Sequence, residues 1–132
     1  MAMKKILFTL TISLSCLTVF AQVSGSQYNS VVESTVRVAG LKSTASLAGQ
    51  PINSVGRRIS YYDGLGRLIQ QVEVKASPTG QDVILPVVYD GFGRQPVHYE
   101  PFAAVSNGGA FRPSAIPAQH AFYQNPPPGV KQ

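Results

Sequence analysis

The chain has 132 residues, enough for one small domain, and its 11 Lys and Arg against 6 Asp and Glu give a formal net charge of +5. The basic residues are scattered and form no run interleaved with aromatic residues, so the sequence does not favour nucleic-acid binding. Charged residues make up only 13 %, which suggests that other protein covers much of the surface in the working context.

The first 21 residues are predicted to be a Sec secretory signal peptide. Lys4 and Lys5 precede an apolar run, and Val19-Phe20-Ala21 offers small residues where signal peptidase needs them, so we predict cleavage after Ala21. The loss of both lysines lowers the net charge to +3. Because the apolar run is shorter than the ~20 residues that cross a bilayer, we expect no stable membrane span after cleavage.

Cys16 is the only cysteine and lies within the predicted signal peptide. The mature chain is therefore expected to carry no disulfide and no cysteine-based metal site. A lipoprotein signal with Cys16 as the acceptor is the alternative. Ser13-Leu14-Ser15 lacks the leucine that such signals carry three residues upstream, so a secreted or cell-surface protein without the lipid is preferred.

The mature chain is predicted to begin with a flexible segment, residues 22–30, and to form a β-rich domain over residues 31–123. Residues 31–38 have the β-branched density and partial alternation of a strand, which Ala39-Gly40 ends. Residues 42–51 are rich in Ser, Ala, Gly and Thr, and are predicted to be a loop or one short helical turn.

Residues 52–62 lead into a six-residue phrase that occurs twice, 27 residues apart, as Tyr62-Asp63-Gly64-Leu65-Gly66-Arg67 and Tyr89-Asp90-Gly91-Phe92-Gly93-Arg94. Asp-Gly between strand-like runs predicts a hairpin turn. The aspartate side chain accepts a backbone N–H two residues on, and glycine adopts a positive φ. We expect the arginine after each turn to lie on the tyrosine before it. Binding of an anion or a glycan by both arginines is the weaker alternative.

The first return strand is predicted over residues 67–75, with a buried face formed by Leu68, Gln70, Val72 and Val74. Ser77-Pro78-Thr79-Gly80 predicts a type I or II turn. Residues 82–90 are predicted as the most apolar strand, in which Pro86 marks an edge or a bulge.

Residues 95–100 are predicted to be the return of the second hairpin, where Pro96 repeats the edge signal. Residues 117–123 predict a two-turn helix with Pro117 at its first position. Residues 124–132 include Pro126-Pro127-Pro128-Gly129 and predict an extended Pro-rich tail of a truncated chain. The predicted fold class is all-β: a meander of antiparallel hairpins, one short C-terminal helix and a Pro-rich tail.

No catalytic or metal-binding pattern is visible in the sequence. His98 and His120 are the only histidines, and no carboxylate stands at helical spacing from His120. Asp63, Asp82 and Asp90 lie in predicted turns or strand ends, where aspartate side chains bond to the backbone. We therefore expect no enzymatic activity, metal or cofactor.

The repeated phrase resembles the Tyr-Asp repeat of Rhs proteins, Tyr-Asp-x-x-Gly-Arg, and both copies match every fixed position. With Gln70, Tyr99-Glu100-Pro101-Phe102 and Phe122-Tyr123, residues 28–132 resemble the uncharacterised domain that precedes the repeats in secreted bacterial Rhs-type proteins. The resemblance implies a hollow β-shell of many repeats and a C-terminal cargo, often a toxin, and this chain carries neither.

The resemblance also implies a function: a non-enzymatic structural module that begins or plugs such a shell. Its partner is then the remainder of the shell, in the same or an adjacent polypeptide. The residues carried over are structural: Tyr62, Asp63, Gly64, Gly66, Arg67, Tyr89, Asp90, Gly91, Gly93 and Arg94. The alternative is a free-standing secreted carbohydrate-binding or adhesion module, in which the tyrosines beside the two arginines hold cell-surface glycans.

Overall fold

The structure, a computed structural model, describes residues 28–128. They form a five-stranded antiparallel sheet in the order β1-β2-β3-β4-β5, followed by one helix. The elements are β1 (Asn29–Val36), β2 (Val55–Tyr62), β3 (Leu68–Glu73), β4 (Asp82–Pro86), β5 (Phe102–Ala104) and α1 (Ala115–Gln124). The predicted all-β meander is thus confirmed. The predicted signal peptide, residues 22–27 and residues 129–132 lie outside the described residues.

Strand β1 begins and ends two residues earlier than predicted. Beyond its end the pairing continues for one more residue, because the Arg37 N–H donates to the Ser54 carbonyl at 2.9 Å. The segment between β1 and β2 contains one short 3-10 helix, Thr44–Leu47, which agrees with the helical-turn alternative.

The hydrophobic core lies on one face of the sheet, beneath α1 and the loop 105–112. It consists of Ile59, Tyr61, Val72, Val74, Ile84, Phe102 and Ala115. Gln70, Val72 and Val74 are buried, as the alternation in β3 predicts. A register shift next to Tyr61 pairs Tyr62 with Leu68, and Ile69 packs against the core. The bulge therefore puts Ile69 where a regular strand would have put Leu68.

The second hairpin is paired at its base and closed at its turn, where the Asp90 N–H donates to the Arg94 carbonyl at 2.8 Å, but its ladder is interrupted between them. The strand predicted over residues 82–90 ends at Pro86, residues 95–100 are not a strand, and pairing resumes where Phe102 lies opposite Ile84. The Val87 N–H donates to the Ile69 carbonyl, so the Pro86 nitrogen lies on the side away from β3, towards the returning segment. Neither Pro86 nor Pro96 has an N–H to donate, which explains why the ladder is interrupted.

Helix α1 begins two residues before the prediction, so Pro117 is its third residue rather than its first. Proline is tolerated there because the first N–H groups of a helix have no partner within it. The Phe122 ring lies 6.1 Å from the Phe102 ring, and the Tyr123 hydroxyl donates to the Pro101 carbonyl at 2.6 Å. These contacts attach α1 to β5. Within residues 28–128, no helix is long and apolar enough to cross a membrane.

Candidate functional site

The first Tyr-Asp phrase forms a turn that closes around one carboxylate. Asp63 Oδ1 accepts the N–H groups of Leu65 and Arg67, both at 2.9 Å. Asp63 Oδ2 accepts Arg67 Nε at 2.7 Å. The Gly66 N–H donates to the Asp63 carbonyl at 3.0 Å, with Gly66 at φ 76°. One side chain therefore fixes both the turn and the arginine that follows it.

The second phrase repeats the same geometry. Asp90 Oδ1 accepts the N–H groups of Phe92 and Arg94 at 2.9 Å, and Oδ2 accepts Arg94 Nε at 2.8 Å. Gly93 lies at φ 77°, so the positive φ falls on the second glycine of each phrase. The hydrogen bond from the arginine backbone N–H is the main reason that the pKa of Asp63 and that of Asp90 are lowered.

The aromatic contact of the first arginine differs from the prediction. The Arg67 guanidinium lies over the Tyr89 ring, 4.6 Å from its centroid, and thus reaches the other phrase instead of Tyr62 in its own. This is possible because β3 and β4 are neighbours, so the start of one lies beside the end of the other. Arg94 also differs from the prediction, because it lies over Phe92 within its own turn, 5.1 Å from the ring centroid, and not over Tyr89. Its side chain is 72 % exposed, against 36 % for Arg67.

A second polar cluster, which the sequence did not reveal, surrounds the fully buried carboxylate of Asp82. It accepts the Lys75 N–H at 2.9 Å, the Ser106 hydroxyl at 2.7 Å, and the N–H groups of Asn107 and Gly109 at 3.1 and 3.3 Å. Burial raises the pKa of Asp82, but these hydrogen bonds outweigh it and the pKa is lowered. The predicted backbone role of Asp82 is confirmed, whereas its distant partners gave no local signal.

Gln70, in β3, binds the loop 105–112 through its side-chain amide. Its side-chain Nε2 donates to the Arg112 carbonyl at 2.9 Å, and its Oε1 accepts the Arg112 N–H at 2.8 Å. The Arg112 guanidinium donates to the Val105 carbonyl and lies 4.0 Å from Asp82. The Gln70 side-chain amide thus makes the two hydrogen bonds that the backbone of a neighbouring strand would make. These bonds hold the loop 105–112 over the core.

The two histidines do not share a site. Both are exposed, and His120 lies beside Tyr99, with 6.1 Å between the ring centroids. An open groove of about 300 Å³ is lined by Glu100, Gln119, His120, Tyr123 and Gln124. Within residues 28–128, no three His, Cys, Asp or Glu side chains are grouped closely enough to hold a metal ion.

The fold and the two phrases define a small β-meander domain, in which the aspartates and arginines of both turns bond within the domain itself. The chain belongs to the family described as "Domain of unknown function (DUF6443)", whose model matches residues 34–132. That match runs from the middle of β1 through the core, both phrases and α1. No curated protein and no solved structure matches the chain.

Proposed function

We propose that this chain is a non-enzymatic structural module at the N-terminal end of a secreted Rhs-type protein with Tyr-Asp repeats, where it begins or plugs the β-shell. The observation that carries the proposal is the contact of Arg67 in the first phrase with the Tyr89 ring of the second. It is a contact between two copies of a repeated unit.

In repeat proteins each unit contacts its neighbours, and stability is a sum of terms within units and between adjacent units. Both kinds of contact occur here. The Asp63–Arg67 ion pair, at 2.7 Å, lies within a unit, and the Arg67–Tyr89 contact joins two units. A Cβ on Gly93 would also lie 3.4 Å from the Arg67 guanidinium, so this arginine spans the second turn as well. The two phrases thus pack against each other, which supports the proposal that they are adjacent units of a longer array.

The bonding of the two aspartates favours a structural role over an acid–base role. Asp63 and Asp90 each accept two backbone N–H groups and one arginine Nε. These bonds stabilise the ionised carboxylate and lower its pKa, which makes it a weak base at neutral pH. A catalytic base needs the opposite shift.

The surface after the second phrase is what a following unit would cover. Val97 is 50 % exposed and the Arg94 side chain is 72 % exposed, whereas Phe92, at 85 %, is exposed to a similar degree as its counterpart Leu65 in the first phrase, at 79 %. In the first phrase, by contrast, the neighbouring unit covers part of the arginine. We propose that the remainder of the shell, in the same or an adjacent polypeptide, packs against residues 92–98.

Export belongs to the same proposal. The Sec signal peptide predicted over residues 1–21, with cleavage after Ala21, would deliver the domain outside the cytoplasm, as a secreted or cell-surface protein. Mass determination of the N-terminus of the exported chain tests this, because a mature chain that begins at Gln22 is expected. A chain that retains residues 1–21 would contradict it.

The test of the structural function is the DNA that follows the codon for Gln132. Further Tyr-Asp-x-x-Gly-Arg phrases, in frame or in the next reading frame, are expected. Unrelated coding sequence in that position, found in several genes that encode this domain, would refute the proposal.

The carbohydrate-binding alternative depends on a free tyrosine and arginine. The Arg67 guanidinium covers the Tyr89 ring, so neither is free to bind a sugar. Arg94 and the exposed Phe92 ring are then the pair on which a sugar would stack. A glycan array probed with residues 22–132 and with the Arg94→Ala variant separates the two functions. Glycan binding that is lost in the variant would replace the structural proposal.

A further inference from the structure

We propose that two copies of this chain pair through β1, antiparallel, with Ser34 of one copy opposite Ser34 of the other. The inference goes beyond the proposed function and does not depend on it. It follows from the two edges of the sheet, from the direction of the free hydrogen-bonding groups in β1, and from the side chains that the Ser34 register sets opposite each other.

The two edges of the sheet differ in length and in protection. Strand β5 has three residues, follows Pro101 and has α1 packed beside it. Strand β1 has eight residues, Asn29-Ser30-Val31-Val32-Glu33-Ser34-Thr35-Val36, without proline or lysine. Long edge strands without such residues are templates for pairing with another strand. The β1 edge is therefore the one that can accept a partner.

The free groups of β1 belong to its even-numbered residues. Arg37 donates its N–H to Ser54 of the segment that leads into β2, and β1 pairs with β2 without a register shift from Asn29 to Val36. Because N–H groups alternate in direction along a strand, the odd-numbered residues face β2. The N–H and carbonyl groups of Ser30, Val32, Ser34 and Val36 point away from the sheet.

The side chains of β1 are exposed on both faces of the sheet. Val31 is 58 % exposed, Val32 57 % and Val36 42 %. Val32 lies opposite Ile59 and so shares the core face, yet Val32 is 57 % exposed, whereas Ile59 is buried against the loop at Gly109. A second strand beside β1 would remove this apolar surface from water.

Antiparallel pairing of a strand with its own copy is symmetric, so the register is fixed by the residue at its centre. A centre at Glu33 places two like charges opposite each other, which is destabilising. A centre at Ser34 sets Val32 opposite Val36 of the second copy, twice by symmetry. It also sets Glu33 opposite Thr35 and diagonal to Arg37 of the second copy, a residue of opposite charge. Within one chain Glu33 lies 3.9 Å from the exposed Arg58 guanidinium, and the Arg37 guanidinium lies against Gly56.

The Ser34 register is compatible with the free backbone groups, as is every twofold register centred on a residue, whereas a centre between two residues would pair outward groups with inward ones. It pairs even-numbered residues with even-numbered residues: Ser30 with residue 38, Val32 with Val36, and Ser34 with itself. Val32, Ser34 and Val36 direct their N–H and carbonyl groups outward, so the pairs that they form can exchange both hydrogen bonds. The result is one continuous sheet across two copies, with a closed twofold interface.

The first experiment measures the mass in solution of the full chain with Cys16→Ser, over a concentration series in the analytical ultracentrifuge. We expect a monomer–dimer equilibrium that shifts to dimer with concentration. Ser34→Pro is expected to abolish the dimer, because it removes an outward N–H that β2 does not use. Its melting temperature, read at a concentration where the parent chain is monomeric, shows that the variant folds.

Three results would overturn the proposal: a parent chain that stays monomeric up to about 1 mM, a dimer that a folded Ser34→Pro variant preserves, or assembly beyond a dimer, since a twofold pairing closes at two copies. If Ser34→Pro does not fold, Ser34→Lys replaces it. This variant keeps the backbone N–H and places two like charges opposite each other at the centre of the interface.

The second experiment tests the register by oxidation of single-cysteine variants in the same Cys16→Ser background. Ser34→Cys places two thiols opposite each other at a Cα separation of about 5.5 Å, which suits a disulfide. Ser30→Cys is the matched control, since it lies opposite residue 38. We expect Ser34→Cys to form a disulfide-linked dimer at least about tenfold faster, because the pairing raises the effective concentration of its partner thiol. Equal rates would refute the register.

Discussion

The Asp63 and Asp90 turns and the Asp82 cluster depend on the same kind of hydrogen bond, but between residues at different separations in the sequence. In all three, a carboxylate accepts backbone N–H groups. The turn aspartates bond to residues at most four positions away and remain about one-fifth exposed, whereas Asp82 is fully buried and bonds to residues up to 27 positions away. The turns are local structures that a short sequence specifies. The Asp82 cluster depends on the whole fold, and we expect the domain's stability to depend more on it.

The largest effect is expected at Gly109, in the loop that the Asp82 cluster holds. A Cβ at Gly109 would lie 2.6 Å from Ile59 Cδ1 and 2.7 Å from Val74 Cγ2, and its φ is 85°. Gly109→Ala must therefore push the loop off the core, at a cost of about 2 to 4 kcal/mol in the free energy of unfolding. Denaturation in urea measures it.

Gly108 is the matched control for this prediction. It has a similar φ of 75°, but no atom lies within 4 Å of a Cβ placed there. Gly108→Ala should therefore show only the backbone strain, about 1 kcal/mol. Equal losses in the two variants would mean that the loop does not pack on Ile59 and Val74 as described.

The next effect is expected for Asp82→Asn, which keeps the shape of the side chain but removes its charge. The amide nitrogen cannot accept a hydrogen bond, so at least one of the four donors around Asp82 is left buried without a partner. We expect a loss of about 2 to 3 kcal/mol. The matched variant Asp90→Asn alters an exposed turn and is expected to cost less.

The pH dependence of stability gives a second measurement on Asp82. Its pKa in the folded chain is lowered, so its contribution is fully present above the unfolded value of about 3.9 and is lost as pH falls through the folded value. The parent chain should lose stability on acidification below about pH 4, and the Asp82→Asn variant should lose less. Parallel pH profiles would contradict the role given to this carboxylate.

A smaller effect is expected in the turns themselves. Gly66→Val puts a β-branched residue at φ 76° and should destabilise the domain by about 1 kcal/mol or more. Gly93→Val should behave alike, because its φ is 77°. Gly64 is not among the residues with positive φ, so Gly64→Val is the control that keeps the melting temperature nearly unchanged. An unchanged melting temperature in Gly66→Val would contradict the turn geometry.

The smallest effect is expected for the contact between the two phrases. A double-mutant cycle of Arg67→Ala and Tyr89→Ala should give a coupling of about 0.5 to 1 kcal/mol, as for a partly exposed guanidinium on an aromatic ring. A cycle of Arg94→Ala with Tyr89→Ala is the control, with no coupling expected, because Arg94 lies over Phe92. Similar coupling in both cycles would refute the specific contact between units.

The parts of the fold that sequence predicted are those set by neighbouring residues. Asp63 and Gly66 determine their turn through bonds within six residues, and Ser77-Pro78-Thr79-Gly80 closes with a Gly80 N–H to Ser77 carbonyl bond of 2.9 Å. The buried positions Val72 and Val74 follow from alternation alone. These signals are contained in short stretches, so a single sequence is sufficient to read them.

The parts that sequence did not predict depend on contacts between distant segments. The bulge that turns Ile69 to the core arises from the pairing of β2 with β3. Apart from Lys75, the partners of Asp82 and Gln70 lie at least 24 residues away. The Arg67–Tyr89 contact requires β3 and β4 to be neighbours. Which backbone groups of β1 are free likewise depends on its pairing with β2, because that pairing directs the groups of the even-numbered residues outward.

The interrupted ladder of the second hairpin makes the two phrases different substrates for a protease. The peptide bond after Arg67 leads directly into β3, which is held between two strands. The bond after Arg94 leads into residues 95–98, which are exposed and belong to no strand. Of the two phrases, trypsin should therefore nick the folded domain after Arg94 and not after Arg67, and the two fragments should stay associated through the β4–β5 pairing and the Tyr123 bond to Pro101.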